Sequence, residues 1–516
     1  MLSIRYLFFI LIGVVSAIFI NNPGNCQPKS AGQKIVKVGN YGVLHRGVIT
    51  REDSLPLMAS EVKRKALAES FDKKGLLYTA RVVVDSDPKL LVPPPAIAGL
   101  AGKEFFVAKN PPTIEFGIAS VEPKFFSEPP AGNKVGPWSN WSQGNYYPPT
   151  GKFYSSCGDH AGYNAHLYLV EYDPAQKHIR CLPEINKVLG RTKDRFGDGK
   201  IHGWIDFYDG PNLWFCTYWA KYPEPLEKDY ATGYGGGYLM SCNVVTGDIV
   251  DYGVPLERVS WPYFHVDAKR GMLYAVGRTN EFLAWNIKDQ RTRWAGCLPD
   301  SLEWGNRSVL IDETTGCVYS SNTHASDNEA HFIKYDPSKN RFFRLACTIP
   351  PQKKTGAREF MRAHTRLRGP DGLFWCVSQP GELFTFDPEK EVIEDKGIIW
   401  PGTQTYVASM ARSPKGRYIY FVPGAHGGGW QDGAPIVQYD TKTGAKKALA
   451  FPFPYYYEKY GYITGGTYST VIDDKGGRLF IFWNGAFTDI KPNGRADTFG
   501  HCAAMLVNIP AEEREE

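Results

Sequence analysis

YLVEYDPAQKH (168–178), YLMSCNVVTGD (238–248), FLAWNIKDQRT (282–292) and FIKYDPSKNRF (332–342) are four versions of one phrase, an apolar strand that closes on Asp or Asn and runs into a turn. LFTFDPEKEV (383–392), IVQYDTKTGA (436–445) and AMLVNIPAEE (504–513) carry the phrase to seven occurrences. Ahead of each lies a second apolar strand: KFYSSCGDH, NLWFCTYW, MLYAVGRT, CVYSSNTH, LFWCVSQ, YIYFVPGAH and RLFIFWNG. The spacing in the middle is roughly 44 to 53 residues, with two longer steps where loops are inserted, which suits four short strands per repeat. A β-sandwich or an open solenoid does not account for a phrase repeated in this way. The fold expected is therefore all-β, a seven-bladed β-propeller over 101–516 with an irregular N-terminal extension. The last repeat stops soon after its third strand, so an upstream segment, FFVAKNPPTIEFGIAS (105–120), is expected to supply the missing strand and seal the ring.

Outside the repeats the chain offers an address. Arg5 precedes the run LFFILIGVVSAIFI from Leu7 to Ile20, and the turn-rich NNPGNCQPKSAG follows. This is the pattern of an export signal covering residues 1–26, its apolar run being shorter than the roughly 20 residues a spanning helix needs. An uncleaved anchor is the alternative, and a membrane would then be met only through this segment. Residues 27–100 contain no blade phrase and read as a linker or accessory segment, Pro-rich at VPPP (92–95). Of the ten cysteines, Cys157, Cys216, Cys317 and Cys376 fall inside the second strands, where Cys behaves as a small buried hydrophobe. One or two disulfide bridges are compatible with export, but there is no C-x-x-C pair.

Hydrophobic residues make up 43% of the 516 and charged residues 22%, a globular balance. A net charge of +5 without a basic block excludes a nucleic-acid partner, and the chain is expected to be a monomer.

Strand order turns this pattern into a functional face. A propeller blade runs up, down, up and down outward from the axis, so the start of the first strand and the end of the second share one face. Counting back from the aromatic positions of the second strands lands on Tyr263, Ser308, His364, Ser409 and Ser469, with His202 equivalent after a longer turn. The second strands themselves end at His160, Trp219, Arg278, His324 and His426. Seven of the eleven histidines, these three with His166, His202, His331 and His364, fall at this rim, and HAGYNAHLYLVEYD from His160 echoes HASDNEAHFIKYD from His324. Any one of them is readily a hydrogen-bonded structural imidazole, whereas the gathering on one face points to function.

Serine hydrolysis finds no G-x-S-x-G elbow, so the aligned serines read as small channel-lining residues. Asp159 and Asp327 read as loop hydrogen-bonders rather than a glycosidase pair, and no acidic cluster suggests a lactonase metal. His, Tyr and Arg together suit β-elimination on a uronate polysaccharide, where a cation holds the carboxylate while a base removes the C5 proton and an acid protonates the leaving oxygen. Tyr263 and Arg278, at adjacent strand ends of one repeat, are expected side by side.

On GDHAGYNAH, KIHGWIDF and WPYFHVDAKRGMLYAVGRT the chain resembles the propeller-type polysaccharide lyases, the ulvan lyases in particular and the oligogalacturonate lyases more distantly. The resemblance implies catalysis by His160 or His166, by His202, and by Tyr263 and Arg278. Substrate contacts are expected from Trp204, Trp219, His324, His364, Arg366 and His426, and the partner is an acidic polysaccharide. No cofactor is implied with certainty. A divalent metal stays open, since oligogalacturonate lyases use one held by rim histidines and His364 and His426 lie where such a site would form, without a tight ligand spacing. The inserted loop YPEPLEKDYATGYGGG (222–237) would reshape the cleft. The competing expectation is a non-catalytic propeller that binds a glycan or a protein, with Tyr163, Trp204, Trp219, Trp261 and Trp430 available for stacking.

Export predicts that protein recovered outside the cytoplasm lacks everything before about residue 27, which intact-mass measurement checks. A mass that includes Leu7–Ile20 would instead support the anchored form.

Overall fold

The computed structural model describes residues 34–36, 82–119, 137–182, 184–191, 194–219, 223–299, 302, 304–305, 307–321, 329–491 and 494–514. His324, Asp327, Cys26 and the Leu7–Ile20 run lie outside the described residues. Seven antiparallel sheets follow one another along the chain and form the seven blades, numbered here in chain order. Their innermost strands are Asn145–Tyr147, Asp206–Phe207, Tyr263–Asp267, Leu310–Ile311, Met361–His364, Met410–Arg412 and Tyr462–Ile472.

Each repeated phrase ends in a turn for a local reason. The Asp173 carboxylate accepts hydrogen bonds from the backbone N–H groups of Ala175 and Gln176, and Asp267, Asp336, Asp387 and Asp440 do the same two and three residues ahead. An Asx turn of this kind reverses the chain between the third and fourth strands, or between the first and second, without consuming a ladder hydrogen bond.

The ring closes as the truncated last repeat requires. Thr113–Ile118 pairs antiparallel with Ala503–Asn508 as the fourth strand of blade 7, and its Glu115 accepts a hydrogen bond from the Tyr172 hydroxyl of blade 1. Further N-terminal segments thicken outer edges: Val83–Asp85 pairs with the closing strand, Phe106–Val107 lies parallel to Lys447–Ala448 of blade 6, and Lys34–Val36 pairs with Ile249–Asp251 of blade 2. Edge strands that would otherwise offer unpaired backbone groups are thereby covered.

Between the blades the core is aromatic, and each blade packs its neighbour through buried Phe, Tyr and Trp side chains such as Trp261, Trp400 and Trp483. The nine described cysteines are all free thiols, seven of them buried, five within strands and Cys317 and Cys502 just ahead of one. Among the described residues no helix is long and apolar enough to cross a membrane.

Closure should dominate stability. Phe116 in the closing strand is buried, with its ring 4.5 Å from that of Tyr456 and 5.2 Å from that of Tyr462. Phe116→Ala is expected to cost about 3–5 kcal/mol, the range for emptying a buried aromatic site, and urea unfolding measures it.

Candidate functional site

The face on which first strands begin and second strands end carries a group of cationic and aromatic side chains drawn from six of the seven blades. Blade 1 contributes Trp138, Trp141 and His160, whose imidazole stacks on Trp141 at 4.8 Å and meets Trp138 edge-on at 4.9 Å. Lys200 and His202 enter ahead of the blade 2 inner strand. Lys200 exchanges both backbone hydrogen bonds with Tyr218, and residues two apart in an extended segment point the same way. Its Nζ sits 3.9 Å from the centre of the Trp141 ring, a cation–π contact in a buried setting.

Two backbone irregularities complete the group. In blade 5, Met361 faces Ser378 and Ala363 faces Val377, so Arg362 is an extra residue on the inner strand. In blade 7, Thr467 faces Trp483 and Ser469 faces Phe482, so Tyr468 is likewise extra. Such bulges re-aim a side chain, and here the two residues meet, with the Arg362 guanidinium 5.2 Å from the ring centres of both Tyr468 and Tyr406. Arg362 Nε also donates to the Tyr406 hydroxyl. His426 stacks on Tyr406 at 4.4 Å and keeps an exposed edge, while His202 lies 5.8 Å from the Tyr468 ring.

Electrostatics follow from this crowding. Burial, reinforced by Arg307, Arg362, Lys200 and His426, holds His202 well below the usual imidazole range. Burial and then Lys200 lower His160 to about 2, and burial followed by Arg362, Lys200 and Arg307 lowers His426 to about 4. Lys200 is also pushed well down, by burial and then by Arg307, with Asp159 opposing. All three imidazoles are therefore neutral near pH 7, able to accept a proton, while Arg362, where the cost of burial is outweighed by the tyrosines that raise it, keeps its charge.

Deeper in the channel a second column forms. The Tyr263 hydroxyl lies 3.4 Å from His364 Nε2, and His364 Nδ1 is 3.0 Å from the Thr365 carbonyl oxygen. His265 Nδ1 meets Asp206 Oδ2 at 2.6 Å, Asp206 pairs with Arg366 at 2.5 Å, and Trp204 stacks on His265 at 5.4 Å. The aligned serines line the walls through hydrogen bonds: Ser409 with Thr470 at 2.9 Å, Ser469 with Ser155 at 2.7 Å, and Ser308 with Ser320 at 3.5 Å.

Several expected site residues therefore stand elsewhere. Tyr263 opens the blade 3 inner strand as counted, but it is fully buried and its hydroxyl faces His364, not solvent. Arg278 lies on the rim, where it pairs at 2.6 Å with Glu224 of the inserted loop, so the side-by-side arrangement with Tyr263 gives no joint contact. His364 faces Cys376, one rung below the level at which Ala363 faces Val377, because the turn joining the first and second strands is one residue longer in blade 5 than in blade 3. His166 is held by Asp159, whose carboxylate accepts from the His166 backbone N–H at 3.0 Å and lies 3.3 Å from Nδ1, which separates it from the stacked His160.

Trp204 and Trp219 are both buried, the first in the channel column and the second against Tyr234, and neither presents a face to a sugar. Arg366 lies at the opposite mouth, where it lines cavities of about 320 and 310 Å³ with turn residues such as Pro148, Glu313 and Asp474. His331, hydrogen-bonded to the Leu345 carbonyl at 2.9 Å and to Glu329 at 3.1 Å, is structural.

Lys200, Arg307, Arg362, Tyr406 and Tyr468 were not singled out from the sequence. One signal was available: Lys200-Ile-His202 and Arg362-Ala-His364 each set a cation two residues before an aligned histidine. Among the described residues no three His, Cys, Asp or Glu side chains come together as a metal would require.

Neutral buried histidines tie stability to pH. His364 is lowered to about 3, chiefly by burial, against an ordinary value of 6.5, so between those limits the unfolded chain binds more protons than the native one. Its contribution is complete above about pH 6.5 and is lost as pH falls towards 3, amounting to roughly 2 kcal/mol at about pH 5. Urea unfolding at pH 7 and pH 5 should show this loss in the wild type and a correspondingly smaller one in His364→Gln.

No protein-family model matches the chain, and no curated protein matches it. Among solved structures, one titled "Structure of U3-55K" aligns at 9% identity with a TM-score of 0.44, covering 73% of this chain and 97% of that one. Likeness at this level says nothing about the chemistry of the channel mouth.

Proposed function

We propose that the protein is an exported polysaccharide lyase that cleaves a uronate-containing glycan by β-elimination at the cationic channel mouth. The observation that carries this reading is the pairing of a solvent-reached imidazole, His426, with Tyr406, whose hydroxyl is tied to the Arg362 guanidinium. Removing a proton alpha to a carboxylate builds negative charge on the carboxylate oxygens, which the guanidinium charges of Arg307 and Arg362 would stabilise. Neutral His426 takes the C5 proton, the C4–O bond breaks as the C4–C5 double bond forms, and the Tyr406 hydroxyl protonates the departing oxygen. Arg362 stabilises the resulting tyrosinate until the proton returns from His426. Trp138, Trp141 and His160 form the aromatic wall beside this centre.

The buried position of Tyr263 and the Arg278–Glu224 pair move the chemistry away from those two residues. Arg278 then positions the inserted loop at the rim, and Tyr263 supports the channel column. The Lys200–Trp141 contact also favours a second reading, a propeller that binds an acidic glycan without cleaving it. Export rests on the Leu7–Ile20 run.

The experiment is ultraviolet absorbance of the unsaturated uronate product over a panel of uronate polysaccharides. Tyr406→Phe should lower kcat by roughly a hundredfold or more with little change in KM, as loss of a general acid does. Tyr263→Phe should lose stability and keep its specific activity. With wild-type protein, kcat/KM is expected to fall as pH drops through about 4, where His426 takes up its proton. Glycan binding without any unsaturated product would select the second reading.

A further inference from the structure

A guanidinium buried without a counter-charge is costly, and Arg362 is 1% exposed. Its Nε reaches the Tyr406 hydroxyl, its Nη2 has no hydrogen-bond partner, and among the described residues no carboxylate lies within ion-pair distance of it. His202, 6% exposed, likewise has an unpartnered Nδ1. Lys200, also 6% exposed, rests its Nζ on Trp141 and makes no ion pair among the described residues. These side chains come from blades 2 and 5 and meet at the channel mouth: Arg362 and His202 share the Tyr468 ring at 5.2 and 5.8 Å, and Lys200 and His202 share the Tyr218 ring at 5.7 and 5.8 Å. Asp159, the carboxylate that acts on Lys200, is bound to the backbone of Ala161 and His166 and to the His166 ring.

We propose that Arg362, His202 and Lys200 form a recessed pocket that holds one small carboxylate-type oxyanion in the protein as it stands, before any glycan arrives. Arg362 Nη2 and an Nδ1–H of His202 donate to the anion, with the Lys200 amine as a third donor beside them. Among the described residues no other group at this mouth supplies the acceptor that both unpartnered donors require. The pocket belongs to the same mouth as the lyase reading and deepens it, because a uronate carboxylate would enter by displacing the free anion. The anion itself does not depend on the elimination step.

Melting of the whole protein in sodium acetate and in sodium chloride at equal ionic strength tests this. The expected result is a saturable rise of roughly 2 °C or more in acetate over chloride, from linkage of a ligand to the native state alone. Arg362→Met should abolish the acetate-specific rise and melt no lower than wild type in chloride, since it removes a buried charge. Calorimetric titration of wild-type protein with acetate, expected to show one site per chain, stands independently of how the variant folds. Glucuronate, the free sugar acid, should raise the melting point without adding to saturating acetate. Identical melting in the two salts with no heat of titration would overturn the proposal, as would an acetate effect that survives in Arg362→Met. An additive effect of glucuronate would overturn the shared pocket. Failure to find an unsaturated product, with the acetate effect intact, would remove the lyase reading and leave the anion pocket standing.

Discussion

Everything at the channel mouth depends on one pairing, the antiparallel ladder between Ala503–Asn508 and Thr113–Ile118. A propeller blade has no stability apart from its neighbours, and a ring of blades is held in register only if its first and last members are joined. The ladder joins segments separated by nearly the whole chain, and the Tyr172–Glu115 hydrogen bond passes the closure on to blade 1. Once the circle is fixed, seven inner strands converge on a common axis. Side chains as distant in sequence as Trp141, Lys200, Arg362 and Tyr468 become neighbours without any local interaction bringing them together.

Convergence alone would give a channel lined by small hydroxyls, and over part of its length the channel has that lining. Ser155, Ser409, Ser469 and Thr470 hydrogen-bond between blades and fill the axis. The cationic and aromatic character of the mouth comes from departures from the regular ladder. The extra residues Arg362 and Tyr468 interrupt their inner strands, and a bulge allows a long side chain to reach the axis where a regular pleat would turn it into a blade interface. The cost of burying Arg362 is offset in part by the faces of two tyrosines and the Tyr406 hydroxyl.

The two ends of the channel use charge differently. At the Arg366 mouth the arginines that line it are matched: Arg366 with Asp206, Arg368 with Asp312 and Glu389, Arg412 with Asp371. At the other mouth positive charge gathers around neutral imidazoles. Matched pairs tie turns to one another and stabilise the ring, whereas a field of one sign in a recess attracts an ion of the other sign. This asymmetry, more than any single residue, makes one face the candidate for ligand chemistry.

Blade number, the turn chemistry of the YDP phrases and the origin of the closing strand were legible in the sequence, because each rests on a local pattern: strand alternation, an Asp side chain reaching the backbone two residues on, and a last repeat one strand short. That first-strand starts and second-strand ends share one face was legible as well, since it follows from strand order. The site residues were legible only in part. His160, His202 and His426 belong to the mouth, but counting along regular strands registers neither an inserted residue, so it missed Arg362 and Tyr468, nor a longer turn, so it set His364 one rung too high. Nor could it tell that Tyr263 is sealed behind His364 or that Glu224 takes up Arg278, because burial and pairing depend on segments that meet only when the ring closes. The sequence by itself determined which strands form and in what order they are laid down, because those are short-range properties of alternating side chains and turns. Which side chains face the axis and which charges lie bare was decided by the tertiary structure alone, because both depend on ladder register between strands and on contacts across a closed circle.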